Sequence, residues 1–444
     1  MQCGVLRGHW YYCPQDVESG PLVPSNPNFP HFNHAVTLAA TWDQVLEFIV
    51  EPHALLPPRQ RPAPRPPSKI FHRSFLHQLR QQTLVFQGND VLYSLRCFWM
   101  YCRSGIFVSI RGGRMELFVP FCNPEYSNTW PDDAASRFHR GSNMPMRNWW
   151  MNGWLVCDQL PDDVCGDHWF TTIRNMVMNC CKVDCDFIIS KRDSPLLRRD
   201  GGDPLNPFNG SAPIIDASRM VRVFSFYGGP LHFDIPCPIA LDWQSVCKRS
   251  FMQKHPRTVE PEFVDMYFES KAPKAIFRGA LTGTGQRALF CNTAFKNADV
   301  GCTSCNNGRR KLNPMTLHEL PPAQLPQRGL VPRMSMNKQQ QDYKYSILLN
   351  GHSFADRAFR LFNASQIVLM PPCSRHDLGQ RAWFSPLLQP HQHYIPIAFD
   401  GSDLDAAIDK LERAPLVVEN MLDACKQLPL HRDGIQEWWW YALQ

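Results

Sequence analysis

Short apolar runs alternate with stretches of helical spacing along most of this chain, and this alternation constrains the fold more than any other feature. Ala275 to Phe277 has strand character and is followed by a glycine-rich turn and a helix from Gln286. Tyr345 to Leu349 is followed in the same way by a loop, a helix from Asp356 and a strand over Gln366 to Met370. Earlier, Phe170, Ile173 and Val177 set a helical spacing over 168–178 that leads into a strand at Phe187. Val221 to Phe226 is another β-rich run, closed by Gly228-Gly229-Pro230. Parallel strands need crossover connections, so alternation of this kind predicts α/β layers, and 444 residues leave room for two such units. Val91 to Trp99 and Ile106 to Ile110 read as strands, Gly112-Gly113 as a turn, and Met115 to Pro120 as the returning hairpin partner. Trp42 to Val50 reads as a short helix. Ser402 reads as the N-cap of a helix to Glu412 that aligns Leu404, Ile408 and Leu411.

Composition narrows the function classes. The net charge of +6, from 46 basic and 40 acidic residues, is mild and spread along the chain, so no nucleic-acid partner is expected. The one dense basic stretch, Arg59 to Lys69, is interleaved with proline and reads as an extended linker within 52–69; a tether to an anionic surface is its sharper alternative. No window approaches 18 consecutive apolar residues, which predicts no transmembrane segment. The first residues lack a basic start with an apolar core and the last lack a retention signal, so a cytoplasmic setting is the default expectation. Seventeen scattered cysteines then read as free, mostly buried thiols. No metal is expected. Asp184-Cys185-Asp186 is formally D-x-D but precedes its strand; Cys180, Cys181 and Cys185 have no histidine at ligand spacing; Cys302 and Cys305 lack a second pair.

Three segments carry candidate chemistry. In DFIISKRDSPLL, Asp186 to Leu197, a short buried strand ends in Lys191, Arg192 and Asp193 before Pro195 stops the ladder. Asp193 thus stands at a C-terminal strand lip, where open α/β sheets place their chemistry. Taken alone, the same residues also fit a solvated salt cluster. In the second segment, Arg278, Gly279, Ala280, Thr282 and Gly283 lead from a strand end through a glycine-rich turn to Arg287. Backbone amides and guanidinium groups there suit an anion, although neither a dinucleotide fingerprint nor a P-loop is present and a plain turn fits as well. The third is a similar turn through His352, Ser353, Phe354, Ala355, Asp356 and Arg357. Two such turns in one layer would clamp the two phosphates of a nucleotide; a solvated helical face is the alternative for Arg357 and Arg360.

The order of these segments, with VFSFYGGPLHFDIPCP (223–238), YKYSILLNGHSFADRAFRLF and LLQPHQHYIPI (387–397), resembles glycosyltransferase family 90 over residues 90–425. That family includes the protein O-glucosyltransferases and the fungal capsule-associated xylosyltransferase-like proteins. The stretch LFVPFCNPEYSNTW (117–130) is similar to the longer algal and large-DNA-virus members. The resemblance implies an α/β, GT-B-like fold of two Rossmann-like domains facing across a cleft. It would comprise an N-terminal extension (1–69), an acceptor domain carrying the base (70–240), a nucleotide-sugar domain (241–425) and a tail that packs back (426–444).

It further implies an inverting enzyme with no metal or other cofactor, using a UDP-sugar, glucose or xylose, and a glycan or protein hydroxyl as acceptor. Asp193 matches the family's general base. The phosphate-holding segment matches His352 to Arg357, and Arg287 matches the donor-contacting arginine after the Phe-Arg-Gly turn. Ala280 and Ala355 stand where many members carry serine, which removes two hydroxyl donors and leaves a catalytically silent sugar-nucleotide or glycan binder as the alternative.

Overall fold

The computed structural model describes residues 39, 41–60, 68–102, 104–123, 165–190, 195–199, 215–254, 267–281, 286–304, 330–351, 354–372 and 381–444. The protein is a mixed α/β structure with two five-stranded sheets.

The chain enters through α1 (Trp42–Val45), a π turn (Leu46–Val50) and α2 (Glu51–Ala54). Thr41 and Gln44 close a capping box ahead of them. Within 55–60, read above as part of a linker, Leu55, Pro57 and Pro58 are exposed while Arg59 and Gln60 are fastened to two aspartates. The Arg59 guanidinium reaches Asp186 at 2.6 Å and the Gln60 N–H donates to Asp184 at 2.9 Å. A charged side chain that finds a buried carboxylate loses the freedom a spacer would have.

Then follow α3 (Arg73–Thr83) and α4 (Val91–Cys97). The second corrects the strand expected over 91–99. Asp90 caps it by accepting the Tyr93 N–H at 2.9 Å, and Val91, Leu95, Phe98 and Cys102 bury one helical face. The apolar composition favoured a strand; the cap and the four-residue spacing decide for a helix.

In the first sheet, β1 (Ser104–Arg111) and β2 (Arg114–Cys122) form the expected hairpin. Gly112 and Gly113 both have positive φ, 55° and 70°, as a two-residue turn between right-twisted strands requires. Helix α5 (Cys165–Cys180) leads to β3 (Cys185–Ile189), antiparallel to β1. Strands β4 (Arg222–Ser225) and β5 (Ile235–Pro236) add in parallel, giving the order β2-β1-β3-β4-β5. Helix α6 (Ala240–Lys254) follows and buries Trp243 and Val246 in the same core, with the Trp243 indole N–H donating to Asn175 of α5 at 3.1 Å.

The second sheet is parallel throughout. Its elements are β6 (Ala272–Ala280), α7 (Gln286–Asn292), β7 (Ala298–Ser304), α8 (Met336–Asp342), β8 (Tyr343–Ile347), α9 (Ala358–Phe362), β9 (Ile367–Met370) and β10 (Tyr394–Pro396). The order β10-β9-β8-β6-β7 places the second strand on one side of the first and the later three on the other. Helix α10 (Leu404–Glu412) has Asp403, not Ser402, at its N-cap position. The Asp403 carboxylate accepts the Ala398 N–H at 2.7 Å and caps no helical N–H, and the Ser402 N–H turns back to Asp400 at 3.0 Å.

Helices α11 (Pro415–Lys426) and α12 (Arg432–Ala442) complete the chain. Trp438 and Trp439 of α12 pack on Phe187 and Phe224 of the first sheet. The apolar core beneath them continues through Trp383 and Phe384 onto Phe359 of α9, joining the first sheet to the helical layer of the second.

Candidate functional site

A parallel sheet in which successive strands go to opposite sides of the first leaves a crevice where the order reverses, outside the C-terminal strand ends. In the second sheet that point lies between β6 and β8, and the two turns singled out in the sequence are the ones that flank it.

Two arginines meet there. From α7, Arg287 donates through Nη1 to the Ala280 carbonyl at 2.9 Å and through Nη2 to the Leu349 carbonyl at 3.0 Å. Arg357, half-buried just before α9, donates through Nη1 to the Arg278 carbonyl at 2.9 Å. Both guanidinium groups lie over the Phe277 ring, at 5.6 and 5.1 Å from its centroid. Burial together with the Arg357 charge brings the Arg287 pKa down to about 10, and burial lowers that of Arg357. Arg287 therefore remains cationic at neutral pH. Gly279 makes room for this pair: a Cβ there would stand 2.8 Å from Phe277 Cζ and 3.1 Å from Arg357 Nη2.

Arg278 is not brought to the crevice. Its guanidinium is engaged on the sheet face by Asp299, with Nη2 to Oδ1 at 2.5 Å, and Tyr343 donates to the other carboxylate oxygen at 2.8 Å. Ala280 contributes its carbonyl, as above. Ala355 is buried, and its N–H is taken by Asn350 Oδ1 at 3.2 Å, which holds the turn that carries Phe354 and exposed Asp356. Thr282, Gly283, His352, Ser353 and Asp193 lie outside the described residues.

Phe354 also reaches the first sheet, with its ring 6.1 Å from that of Tyr227, just beyond β4. A loop beyond β8 of the second sheet and a loop beyond β4 of the first therefore touch at these aromatics. On the first-sheet side, buried Asp234 accepts the N–H groups of Leu196 at 2.9 Å and Leu197 at 2.6 Å and the Ser225 hydroxyl at 2.5 Å. It thereby fixes the chain immediately after the segment that contains Asp193. A second junction carboxylate is Asp242 of α6, which accepts the Ile239 N–H and the Trp383 indole N–H. Burial pushes its pKa up to about 7, with the nearby Asp356 charge adding to the rise. Neither aspartate stood out in the sequence. For Asp234 the available signal was a lone acid within an apolar run, His232-Phe233-Asp234-Ile235.

A cavity of about 220 Å³ opens beside the same loops, lined by Arg199, Gly228, His232, Arg381 and Pro386. The backbones of Gly228 and Arg381 bond each other at 2.9 and 2.7 Å and close one wall of it. The Asp184 and Asp186 pair lies at the opposite, N-terminal end of β3, where its carboxylates hold protein groups. Asp184 holds Gly113 and Gln60; Asp186 holds Arg111, Arg59 and His53. Among the described residues no three His, Cys, Asp or Glu side chains are grouped to hold a metal ion, and no helix is long and apolar enough to cross a membrane.

No protein-family profile matches the chain. It is similar to three viral proteins. Uncharacterized protein 027R of Frog virus 3 is 29% identical over 366 residues, covering 70% of this chain and 37% of the viral protein. Uncharacterized protein 035R of Invertebrate iridescent virus 3 is 29% identical over 361 residues, covering 70% and 31%. Uncharacterized protein 179R of Invertebrate iridescent virus 6 is 24% identical over 393 residues, covering 70% and 32%. The chain thus spans about a third of the length of these curated relatives, whose names carry no activity.

Proposed function

We propose that this chain is an inverting, metal-independent glycosyltransferase of GT-B architecture. It moves a sugar, glucose or xylose, from a UDP-sugar to an acceptor hydroxyl. The observation that carries the reading is the convergence of Arg287 and Arg357 at the switch point between β6 and β8. A crevice of this type receives a nucleotide, and two guanidinium groups pre-positioned by backbone carbonyls suit a diphosphate. The contact between loops of the two sheets at Tyr227 and Phe354 supports a donor site that faces the first sheet.

In this mechanism the donor diphosphate lies against Arg287 and Arg357, which stabilise the charge that grows as the bond between the anomeric carbon and the leaving oxygen breaks. Asp193 accepts the proton of the acceptor hydroxyl as that oxygen attacks the opposite face. Asp234 positions the loop after the base through the Leu196 and Leu197 amides. The cavity beside Gly228 and Arg381 takes the acceptor. Ala280 and Ala355 leave the donor two hydroxyl contacts poorer than in many family members, each worth about 0.5–1.5 kcal/mol. That affects sugar choice more than turnover.

The test is a screen of UDP-sugars for UDP release, comparing the wild type with Asp193→Asn. Turnover lost in the variant while UDP still binds is the expected result. A wild type that binds UDP but releases none from any sugar donor would leave the silent binder as the correct reading.

A further inference from the structure

Cys291 of α7 and Cys302 of β7 bring their Sγ atoms to 2.8 Å, closer than van der Waals contact between two sulfurs. Both are in the thiol form and both are buried. A disulfide needs about 2.05 Å between sulfurs, so closing this pair takes a movement of roughly 0.8 Å. The hydrogen bond with Cys291 and the Arg287 charge hold the Cys302 thiol below its usual pKa, against the effect of burial. This favours Cys302 as the thiolate that reacts first.

Access comes from local opening. Strand β7 is the outermost strand described on its side but is covered at Cys302 by Val331, whose N–H donates to the Cys302 carbonyl at 2.9 Å. Helix α7, by contrast, has seven residues and is short enough to open locally. We propose that Cys291 and Cys302 are a reversible redox pair whose disulfide locks α7 against β7.

The oxidant class is a low-molecular-weight disulfide. The Cys302 thiolate attacks one sulfur of the oxidant and releases the first small thiolate. Cys291, giving its proton to solvent, then attacks the mixed disulfide at Cys302 and releases the second. Two protein thiols are oxidised by two electrons and one small disulfide is reduced to two thiols. Arg287 sits one helical turn before Cys291, so the bond also restrains the helix that carries the crevice arginine. The pairing itself is independent of any catalytic role.

The experiment uses the full chain treated with oxidised glutathione, followed by alkylation of free thiols and mass-spectrometric peptide mapping. The expected result is a cross-linked peptide joining Cys291 to Cys302 and a Tm rise of about 5 °C, both reversed by dithiothreitol. Cys291→Ser and Cys302→Ser each abolish the shift, whereas Cys425→Ser, at a buried thiol elsewhere, retains it. Alkylation of both residues after oxidation overturns the proposal. So does Cys302 joined to a different cysteine, or a shift that survives in Cys291→Ser. The wild-type peptide map decides even if a variant fails to fold.

Discussion

The indole N–H of Trp383 donates to Asp242 Oδ2 over 3.0 Å, and the same oxygen accepts the Ile239 N–H at 3.1 Å. One buried carboxylate thus ties the start of α6 to the segment between β9 and β10, at the junction of the two sheets. Burial, the main influence, raises its pKa to about 7 in the folded protein, against about 3.9 in the unfolded chain. The folded state keeps a proton that the unfolded state releases between these values. Stability therefore falls as pH rises from about 4 to about 7 and levels off above, with a slope of at most about 1.4 kcal/mol per pH unit. Thermal melts of the wild type from pH 5 to 8 should show a declining Tm, and Asp242→Asn should flatten the curve. A wild-type Tm that is level from pH 5 to 7 contradicts the assignment.

Asp186 has the opposite sign. Burial alone would raise its pKa, but hydrogen bonds from His53 and Arg111 and the Arg59 charge outweigh that and hold the carboxyl well below the usual range. Its contribution to stability is complete above about pH 4 and is lost as pH falls further. Asp186→Ala strands buried Arg111 without its counter-ion, a loss of about 3–5 kcal/mol measured by urea denaturation. Arg59→Ala, at a partly exposed side chain, should cost under about 1 kcal/mol. Equal losses in the two variants would show that the Arg111 pairing does not dominate.

These two aspartates also mark how far the sequence could be read. Strands β1 to β4, β6, β8 and β9 and the helices over 168–178 and from Gln286 were legible, because apolar runs and their spacing are local, whereas β5, β7 and β10 were not read. The crossovers that make the second sheet parallel follow from the same pattern. The helix at Val91–Cys97 was legible in principle, from Asp90 as cap and from the spacing of Val91 and Leu95, but β-favouring residues obscured it. What the sequence did not reveal depends on partners far apart in the chain. Arg59 meets Asp186 across 127 residues, and Trp383 meets Asp242 across 141. At the site, the chain contains many arginines, and only the strand order singles out Arg287 and Arg357 as the pair at the crevice. Nothing local separates them from Arg278, which the fold gives to Asp299.

Asp234 offers a test of positioning. Its carboxylate satisfies two buried amides and one hydroxyl, so Asp234→Ala leaves three polar groups without an acceptor, a loss of about 3 kcal/mol or more. Asp234→Asn keeps one acceptor oxygen and should fold more stably than the alanine variant. In the asparagine variant kcat should fall at least tenfold while UDP affinity, by calorimetry, stays within twofold. A parallel loss of UDP affinity would place Asp234 in support of the donor side and not of the loop that carries Asp193.

Under the proposed function, variants at the crevice arginines should separate donor binding from sheet stability. Arg357, half-buried, spends one of its five donors on the Arg278 carbonyl, which leaves others for a diphosphate oxygen. Loss of a charge-assisted contact is worth about 1.5–3 kcal/mol, so Arg357→Ala should weaken UDP binding by about 10- to 100-fold. Arg357→Lys should recover little, since an ammonium cannot reproduce the planar fork. Gly279→Ala approaches the same group differently: its Cβ would crowd Arg357 Nη2 and Phe277 without removing charge, so a smaller loss of affinity is expected. Arg278→Ala is the internal control. It breaks the ion pair with Asp299 and lowers Tm, but UDP affinity should stay within about twofold, as expected for a group turned away from the ligand. If Arg278→Ala weakens UDP binding as much as Arg357→Ala does, the diphosphate lies along β6 and not at the switch point between β6 and β8.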